Sequence, residues 1–510
     1  MSGWSRVERR VCLSKTKREL GLFSTIMMGL GGAIGFEIFV LLDYAYFHLA
    51  GPSIILALLL TGVINLLIML SYCELGAAMP KLGGEYTYIK TAYGGFTAFL
   101  SGCFRWFSSV FGAALAALVF IQQFAYLFST FAPTVQSFIS SQMPLIATLV
   151  VVVFALLDIK GVKKIGSTEV EAFLVVFAIF IISGLLHGLS PLEIFPKNLP
   201  EGLPSVLAAT VYTFPMFFGM RALVAGAVLV RHPERNIPRG ILLSALIIIP
   251  LYVGLAYIAA GVVSPNEVGS TAPFLNLAAQ KIMGVAGGVL FAIAGMIASL
   301  SALSTSLMVQ SSIARGMSRD GYLPKILLSV HKRFGTPYIE IIVGSLFISI
   351  LSALGAIAFL GYTASFGALL VFALVNLSLL KLRREKPHLE RPFKIPLYPF
   401  IPIAGAIIPI LLLMFPIFLG DTYAVDALLS GLGLTSLVLM TYYLRMIGRY
   451  RLQIAVGGIC LGTGSSLVLL TCITEAGFMP SIFPNISSYV LLFIGAILII
   501  AGVLNATPYN

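Results

Sequence analysis

Residues 29–39 read GLGGAIGFEIF, a stretch that decides the fold because it combines four glycines and one carboxylate within an apolar run. The run extends over about 22–49 and is long enough to cross a membrane, which takes roughly 20 mainly apolar residues. Glycine lets helices pack closely, but four glycines just before a carboxylate predict a break in the helix. Irregular backbone at this depth is tolerated only around a cavity or inside packed protein.

The composition excludes a water-soluble chain. Charged residues make up 10% of the 510 residues and hydrophobic residues 59%. Soluble domains carry roughly 25% charged residues. The net charge of +12 comes from basic residues in short loops between apolar runs, where they set membrane orientation and do not indicate nucleic acid as a partner. We therefore expect an all-α membrane protein embedded in a lipid bilayer.

Apolar runs predict about 14 transmembrane helices, 12 in a core and 2 more at the C-terminus. With the N-terminus inside, 28 of the 32 Lys and Arg residues fall in cytoplasmic segments, and only Lys197 and Lys281 fall in outer loops. This asymmetry predicts a multi-pass protein of the plasma membrane with both termini cytoplasmic. The runs lie near 22–49, 53–79, 95–128, 143–157, 168–188, 205–230, 240–263, 282–314, 338–357, 359–380, 398–420, 424–444, 453–473 and 487–504.

Three charged side chains fall inside spans. Glu37, Arg105 and Arg221 lie roughly 22, 15 and 24 Å along the first, third and sixth helices, at about 1.5 Å per residue. Such charges usually mark a functional site. Two interpretations stay open: a structural ion pair between Glu37 and one arginine, or a polar cavity that leaves one arginine for a substrate carboxylate. Asp43, further out, either faces an outer vestibule or caps its own helix.

The sixth span carries a second expected break. Residues 214–221 read FPMFFGMR, in which Pro215 removes a backbone donor and Gly219 loosens the turn. Interrupted helices at corresponding positions of two halves indicate a transporter binding site. An offset of five helices is odd, so a second repeat would be inverted relative to the first.

Several further motifs occur in order along the chain, and together they carry a family resemblance. They are SYCELGAAMP at 71–80, GGEY at 83–86, HPERNIPR at 232–239, ARGMSRDGYLP at 314–324 and RPFKIPLYP at 391–399. With the glycine-rich segment at 31–39, they make the sequence resemble the amino acid-polyamine-organocation permeases over about residues 18–400.

The resemblance implies a leucine-transporter-type fold, a five-plus-five inverted repeat that works by alternating access. It divides the chain into a cytoplasmic segment (1–20), a first repeat (21–190), a second repeat (200–382), two further helices (383–446) and two additional C-terminal helices (447–510). For the two additional helices we expect a role in accessory packing or in a homodimer surface.

The resemblance also assigns roles in binding a small-molecule substrate, an amino acid or amine. Backbone amides of the first break would hold the substrate carboxylate, and carbonyls and an aromatic ring of the sixth helix would hold the amine. The candidate substrate site consists of Ile34, Gly35, Phe36, Glu37, Arg105, Phe214, Phe217, Phe218, Gly219 and Arg221.

Several positions depart from the family pattern. Glu37 stands where a small residue is usual, and Arg221 stands where an acidic residue is frequent. Val176 replaces the lysine of some proton-coupled members, so Glu37 becomes the candidate proton carrier. Ser304 and Thr305 are weaker candidates for sodium coupling, and we expect no cofactor and no metal.

The sequence contains no Walker-type phosphate loop and no zinc-binding histidine cluster, so we expect neither an enzyme nor an ATP-driven pump. The expected function is secondary active transport of amino acids, by proton coupling or exchange. Two arginines favour a substrate with a carboxylate, whereas Glu37 in contact with substrate would favour a cationic amine. A polyamine or organic-cation transporter, and a receptor that binds without transport, remain the alternatives.

Overall fold

A computed structural model describes residues 20–80, 83–129, 131–160, 168–188, 203–267, 272–331 and 333–418, with scattered residues between 423 and 464. Regular structure in these residues is helical, apart from one isolated parallel bridge between Leu20 and Val230. The predicted all-α class is thus confirmed for the described part of the chain. The predicted spans near 453–473 and 487–504 lie outside it.

The described helices follow one another closely along the chain. Shorter π- or 3₁₀-helical turns occupy Ala45–Ala50, Gly51–Ser53, Phe214–Arg221, Ala227–Leu229, Pro265–Glu267 and Lys325–Leu328. The α-helices are α1 (Leu22–Ala33), α2 (Glu37–Tyr44), α3 (Ile54–Ala78), α4 (Glu85–Tyr93), α5 (Gly95–Tyr126), α6 (Pro133–Ser141), α7 (Met143–Ile159), α8 (Thr168–His187), α9 (Leu203–Thr213), α10 (Ala222–Ala225), α11 (Pro233–Val262), α12 (Phe274–Arg319), α13 (Tyr338–Ala353), α14 (Ile357–Glu385) and α15 (Phe400–Phe418).

Seven helices among the described residues are long and apolar enough to cross a membrane, and α6 with α7, bent by 74°, would make an eighth. Large apolar side chains on their outer faces are exposed, such as Leu186 at 83%, Leu246 at 69% and Leu346 at 59%. Soluble proteins rarely expose apolar surfaces of this extent to water, whereas the same surfaces are stable in contact with lipid. The chain is a multi-pass membrane protein, and the total of 14 helices stays a prediction.

Both predicted breaks are present. The first span leaves the helix after Ala33, with Ile34 in an extended conformation (φ −76°, ψ 94°), and resumes as α2 at Glu37. In the sixth span, α9 ends at Thr213 and continues as a tighter 3₁₀-helix over Phe214–Arg221. Around them, α5 packs against both α12 and α14, so these long helices frame the space that the breaks open.

Candidate functional site

A cavity of about 510 Å³ lies where the two broken helices face α5, α12 and α14. Most of the predicted substrate-site residues line it, so the structure brings together side chains that are far apart in the sequence. The lining members are Ile34, Gly35, Phe36, Glu37, Arg105, Phe218, Gly219 and Arg221.

Two predicted aromatic residues lie behind the cavity wall. Phe214 is fully buried, with its ring 5.8 Å from that of Phe218, and Phe217 is fully buried against Tyr252 at 5.4 Å. Neither lines the cavity, so their rings pack the core and do not face a ligand. Of the three phenylalanines in Phe214–Arg221, Phe218 is the one that lines the cavity.

The two broken helices meet backbone to backbone. A Cβ built on Gly219 would overlap the main chain of Gly32 and Ala33, and one built on Gly32 would overlap the carbonyl of Gly219. Only glycine at both positions allows this approach. The contact holds Glu37 and Arg221, which follow on the two segments, along one wall of the cavity.

Glu37 bends back towards its own helix end. Its carboxylate lies over Gly35, so close that a Cβ there would overlap it, and it interacts with its own backbone amide. Among the described residues it has no ion-pair partner within 4.0 Å, so the structural ion pair with an arginine is not formed. The carboxylate therefore occupies the N-terminal end of α2, where helix amides favour an anion.

Arg221 is a buried cation that forms no ion pair within 4.0 Å with a described residue, although it interacts electrostatically with Glu37 over a longer distance. The residue is 9% exposed, and its Nη1 has no hydrogen-bond partner among the described residues. Its guanidinium lies 4.8 Å from the ring centre of Phe218 and 5.6 Å from that of Phe372. Cation–π contacts stabilise the charge of Arg221 at the wall of the cavity.

Arg105 is better supplied with partners than Arg221. Its Nη1 donates to Ser109 at 3.0 Å, and its Nε lies 3.9 Å from the carboxylate of Glu85. That carboxylate also accepts a hydrogen bond from the Tyr72 hydroxyl at 3.1 Å. Glu85 lines the cavity, a role that its place in the GGEY motif at 83–86 does not reveal.

Glu169, at the start of α8, is a second cavity-lining carboxylate that was not predicted from the sequence. No pattern singled it out, because an acidic residue in a first helical turn is common for reasons of the helix dipole. With Glu37 and Glu85 it places three carboxylates around the cavity, against the two arginines.

The two residues predicted for ion coupling separate in the structure. Thr305 lines the cavity, whereas Ser304 donates a hydrogen bond of 2.9 Å to Asp158 on α7 and does not line it. Successive residues on a helix point in different directions, so Thr305 faces the cavity while Ser304 faces α7. Among the described residues, no group of three or more His, Cys, Asp and Glu side chains could hold a metal ion.

The cavity opens on the side of the basic loops. Its lining residues Thr305 and Ser312 are exposed, and they precede Arg315 on the same helix. Towards the other side, the rings of Tyr44 and Tyr362 each lie 4.8 Å from that of Tyr212. This aromatic cluster packs the first, sixth and tenth predicted spans against one another.

Comparison with known proteins identifies the class. The amino acid permease family model matches residues 20–425. A branched-chain amino acid permease of Bacillus subtilis is 27% identical over 76% of this chain and 85% of its own length. A methylthioribose transporter of the same organism is 24% identical over 77% of this chain and 88% of its own length.

A plant relative is the chloroplastic cationic amino acid transporter 9 of Arabidopsis thaliana, 28% identical over 62% of this chain and 57% of its own length. The chain belongs to the amino acid permease family, within the amino acid-polyamine-organocation superfamily. It is therefore a permease and not an enzyme, and it takes a small-molecule substrate.

Proposed function

We propose that this permease is a secondary active transporter that carries an amino acid across the plasma membrane by alternating access. The observation that carries the proposal is the 510 Å³ cavity between two interrupted helices, lined by charges of both signs. Ligand pockets commonly span roughly 300–1,000 Å³, so the cavity is large enough for one amino acid. Glu37 and Arg221 supply complementary charges for a zwitterion.

Alternating access requires that the cavity open to one side at a time. In this structure the exposed residues Thr305 and Ser312 lie towards the basic loops, and the tyrosine cluster lies at the other end. If the basic loops are cytoplasmic, the structure represents an inward-facing state. Two broken helices separated by four predicted spans support a five-plus-five inverted repeat, and the excess of Lys and Arg in alternate loops supports cytoplasmic termini.

Proton coupling or exchange is the proposed driving mechanism, with Glu37 as the proton carrier. The carboxyl group lies in the cavity and has no ion pair with a described residue, so protonation does not require a salt bridge to break. Sodium coupling has weaker support, because Ser304 is bonded to Asp158 and only Thr305 of the pair reaches the cavity.

The substrate class is proposed as an amino acid with an apolar side chain. Phe36, Phe218, Ala364 and Val371 give the cavity an apolar surface beside the charged groups. A cationic amine is the second candidate, favoured by the three cavity-lining carboxylates. The names of the relatives include both branched-chain and cationic amino acids.

Uptake by purified protein in lipid vesicles tests the proposal. A panel of amino acids and polyamines would be offered with and without an inwardly directed proton gradient. Gradient-driven uptake of a neutral amino acid supports it, and Glu37→Gln should then abolish the effect of the gradient. Uptake of polyamines alone would mean that the substrate is a cationic amine and not an amino acid. Binding without uptake or exchange would indicate a receptor.

A further inference from the structure

The segment that joins α14 to α15, residues 386–399, is held in place by buried groups. The carboxylate of Glu74 accepts hydrogen bonds from Arg383, just before the segment, at 2.7 Å and from the Ile395 amide within it at 2.9 Å. Arg391 donates to three nearby main-chain carbonyls at 2.9 to 3.0 Å. The segment therefore presents a fixed surface on the side of the basic loops.

Three exposed cations of this region have no ion-pair partner within 4.0 Å among the described residues. They are Arg384, Lys386 and Lys394. Arg384 directly follows the arginine that bonds Glu74, and Lys394 directly precedes the amide that bonds the same carboxylate. The carbonyl of Lys386 accepts a hydrogen bond of 3.0 Å from Arg391, whose Nε lies 3.4 Å from Glu74. These shared partners bring the three charges close together.

The acidic residues nearby do not neutralise the three cations. Glu385 is already paired with Lys381 at 3.6 Å. Glu390 is the one acidic residue in the sequence between positions 386 and 399. Like charges held close together repel one another, so an anion that binds among them is stabilised.

Two large apolar side chains on the same segment are also exposed. Leu397 and Phe400 are each 73% exposed. The backbone of Leu397 has a φ of 49°, in the left-handed region that a branched residue other than glycine rarely adopts. Such conformations persist where the surrounding structure imposes them, and they concentrate at functional contacts. Here the conformation holds a leucine side chain in the open.

The position of Leu397 and Phe400 indicates what they contact. Phe400 begins α15, and exposed apolar residues continue from it along one helix face at Ile403, Ile407 and Leu411. In a membrane protein such a face contacts lipid. Leu397 therefore lies at the membrane boundary, between the lipid-facing surface of α15 and the three cations. A lipid with an anionic headgroup complements both parts, whereas a soluble anion would leave the apolar side chains unused.

We propose that this surface binds an anionic phospholipid of the leaflet that faces the basic loops. Arg384, Lys386 and Lys394 contact the headgroup phosphate, and Leu397 and Phe400 contact the acyl chains. The inference goes beyond the proposed function, because it concerns the surrounding membrane and not the substrate in the cavity. It does not depend on which substrate is carried.

Binding of three probes to the purified full chain in a nonionic detergent tests the inference, with native mass spectrometry as the readout. Dioctanoyl phosphatidylglycerol carries the charge and the chains. Dioctanoyl phosphatidylcholine has the same chains without net charge, and glycerol 3-phosphate has the charge without chains. The first probe should bind roughly tenfold more tightly than either of the others, and added salt should weaken it.

A double variant of the two loop lysines tests the charges. Lys386→Gln with Lys394→Gln should weaken phosphatidylglycerol by roughly tenfold in Kd and leave phosphatidylcholine unchanged. Arg384 is kept, because a positive charge in the last turn of α14 stabilises that helix. The matched control is Arg235→Gln with Arg239→Gln, which removes two exposed cations from another basic loop and should leave the affinity unchanged.

A variant of Leu397 tests the apolar contact. Leu397→Asn should weaken phosphatidylglycerol by roughly fivefold, because an apolar contact with the acyl chains is lost. Asparagine adopts the left-handed conformation more readily than leucine, so the unfolding temperature measured without lipid should stay the same or rise. A residue that served only to stabilise the fold would not show this combination.

Several results would overturn the inference. Equal weakening by both double variants would mean that the charge of the whole face attracts the lipid, without a site at this segment. Equal affinity for phosphatidylcholine would mean that the cations do not recognise the headgroup. Glycerol 3-phosphate binding as tightly as phosphatidylglycerol would indicate a site for a free anion. The binding is measured without substrate, so these results leave the proposed transport function standing.

Discussion

Gly32 and Gly219 touch through their main chains at the point where the two broken helices cross. Neither position has room for a Cβ, because the atoms it would meet belong to backbone and cannot rotate away. The contact fixes the positions of the two segments from which Glu37 and Arg221 continue.

We expect Gly219→Ala to reduce transport by more than tenfold and to destabilise the protein. An overpacked contact costs roughly 1–3 kcal/mol, and here the strain would fall on the segments that carry the two charges. Uptake in vesicles and thermal unfolding in detergent would measure the two effects. Gly316→Ala is the matched control, because Gly316 also lines the cavity but a Cβ there meets open space. Equal losses in both variants would contradict the role of the contact.

Much of this site could be predicted from the sequence, because glycine runs and buried charges are local signals. The breaks at Ile34 and Phe214 and the cavity positions of Glu37, Arg105 and Arg221 all followed from such signals. The direction in which a side chain points could not be predicted in the irregular segments. A 3₁₀ segment has neither the 3.6-residue nor the two-residue repeat, so Phe217 and Phe218 were not distinguished.

Contacts between residues far apart in the chain could not be predicted from the sequence either. Asp43 was expected to face a vestibule or to cap its own helix, yet it accepts the Phe274 amide at the start of α12, 231 residues away. Ser304, a weaker candidate for sodium coupling, donates a hydrogen bond to Asp158 on α7. Both outcomes depend on which helices become neighbours, and single residues carry no signal for that.

Thiol labelling should separate Thr305 from Ser304. We expect Thr305→Cys to react with a membrane-impermeant reagent added from the cytoplasmic face, because Thr305 is exposed in the open cavity. Ser304→Cys should react at least tenfold more slowly, since Ser304 is buried against α7. Bound leucine should protect the first site. The unsubstituted protein gives the background, and its described thiols, Cys73 and Cys103, are buried. Equal labelling of both variants would contradict the assigned orientation of α12.

Glu74 joins two family motifs that lie more than 300 residues apart. Its carboxylate is fully buried. It accepts hydrogen bonds from Arg383 Nε at 2.7 Å and from the Ile395 amide at 2.9 Å, and it lies 3.4 Å from Arg391 Nε. Removing one member of a buried charge network leaves the other charges unpaired. We expect Glu74→Gln to destabilise the protein by about 3–5 kcal/mol.

An exposed carboxylate at the end of α14 provides the comparison for Glu74. Glu385 pairs with Lys381 one helical turn away, but its side chain is 55% exposed. Exposed pairs contribute roughly 0–1 kcal/mol, so Glu385→Gln should change the unfolding temperature little. Thermal unfolding of both variants in the same detergent gives the measurement. A small shift for Glu74→Gln would mean that the network is not needed to hold α3 to α14.

Asp43 should bias the balance between inward- and outward-facing states. Its carboxylate accepts a hydrogen bond of 2.7 Å from the Phe274 amide, and the Tyr46 ring stacks on Phe274 with centroids 4.1 Å apart, so the C-terminal end of the first span is tied to α12. In the proposed alternating-access mechanism, we expect outward opening to break this tie. A lost N-terminal cap costs about 1 kcal/mol, which shifts a two-state equilibrium by about fivefold.

Thiol labelling of Asp43 variants that also carry Thr305→Cys measures this shift in the conformational equilibrium. Asp43→Leu should slow cytoplasmic labelling by up to about fivefold, because it favours the outward-facing state in which the inner end of the cavity is closed. Asp43→Asn keeps an oxygen that can accept the Phe274 amide and should label at the parent rate. Faster labelling of Asp43→Leu than of the parent would mean that the tie holds the cavity shut on the inner side, which contradicts the proposed inward-facing state.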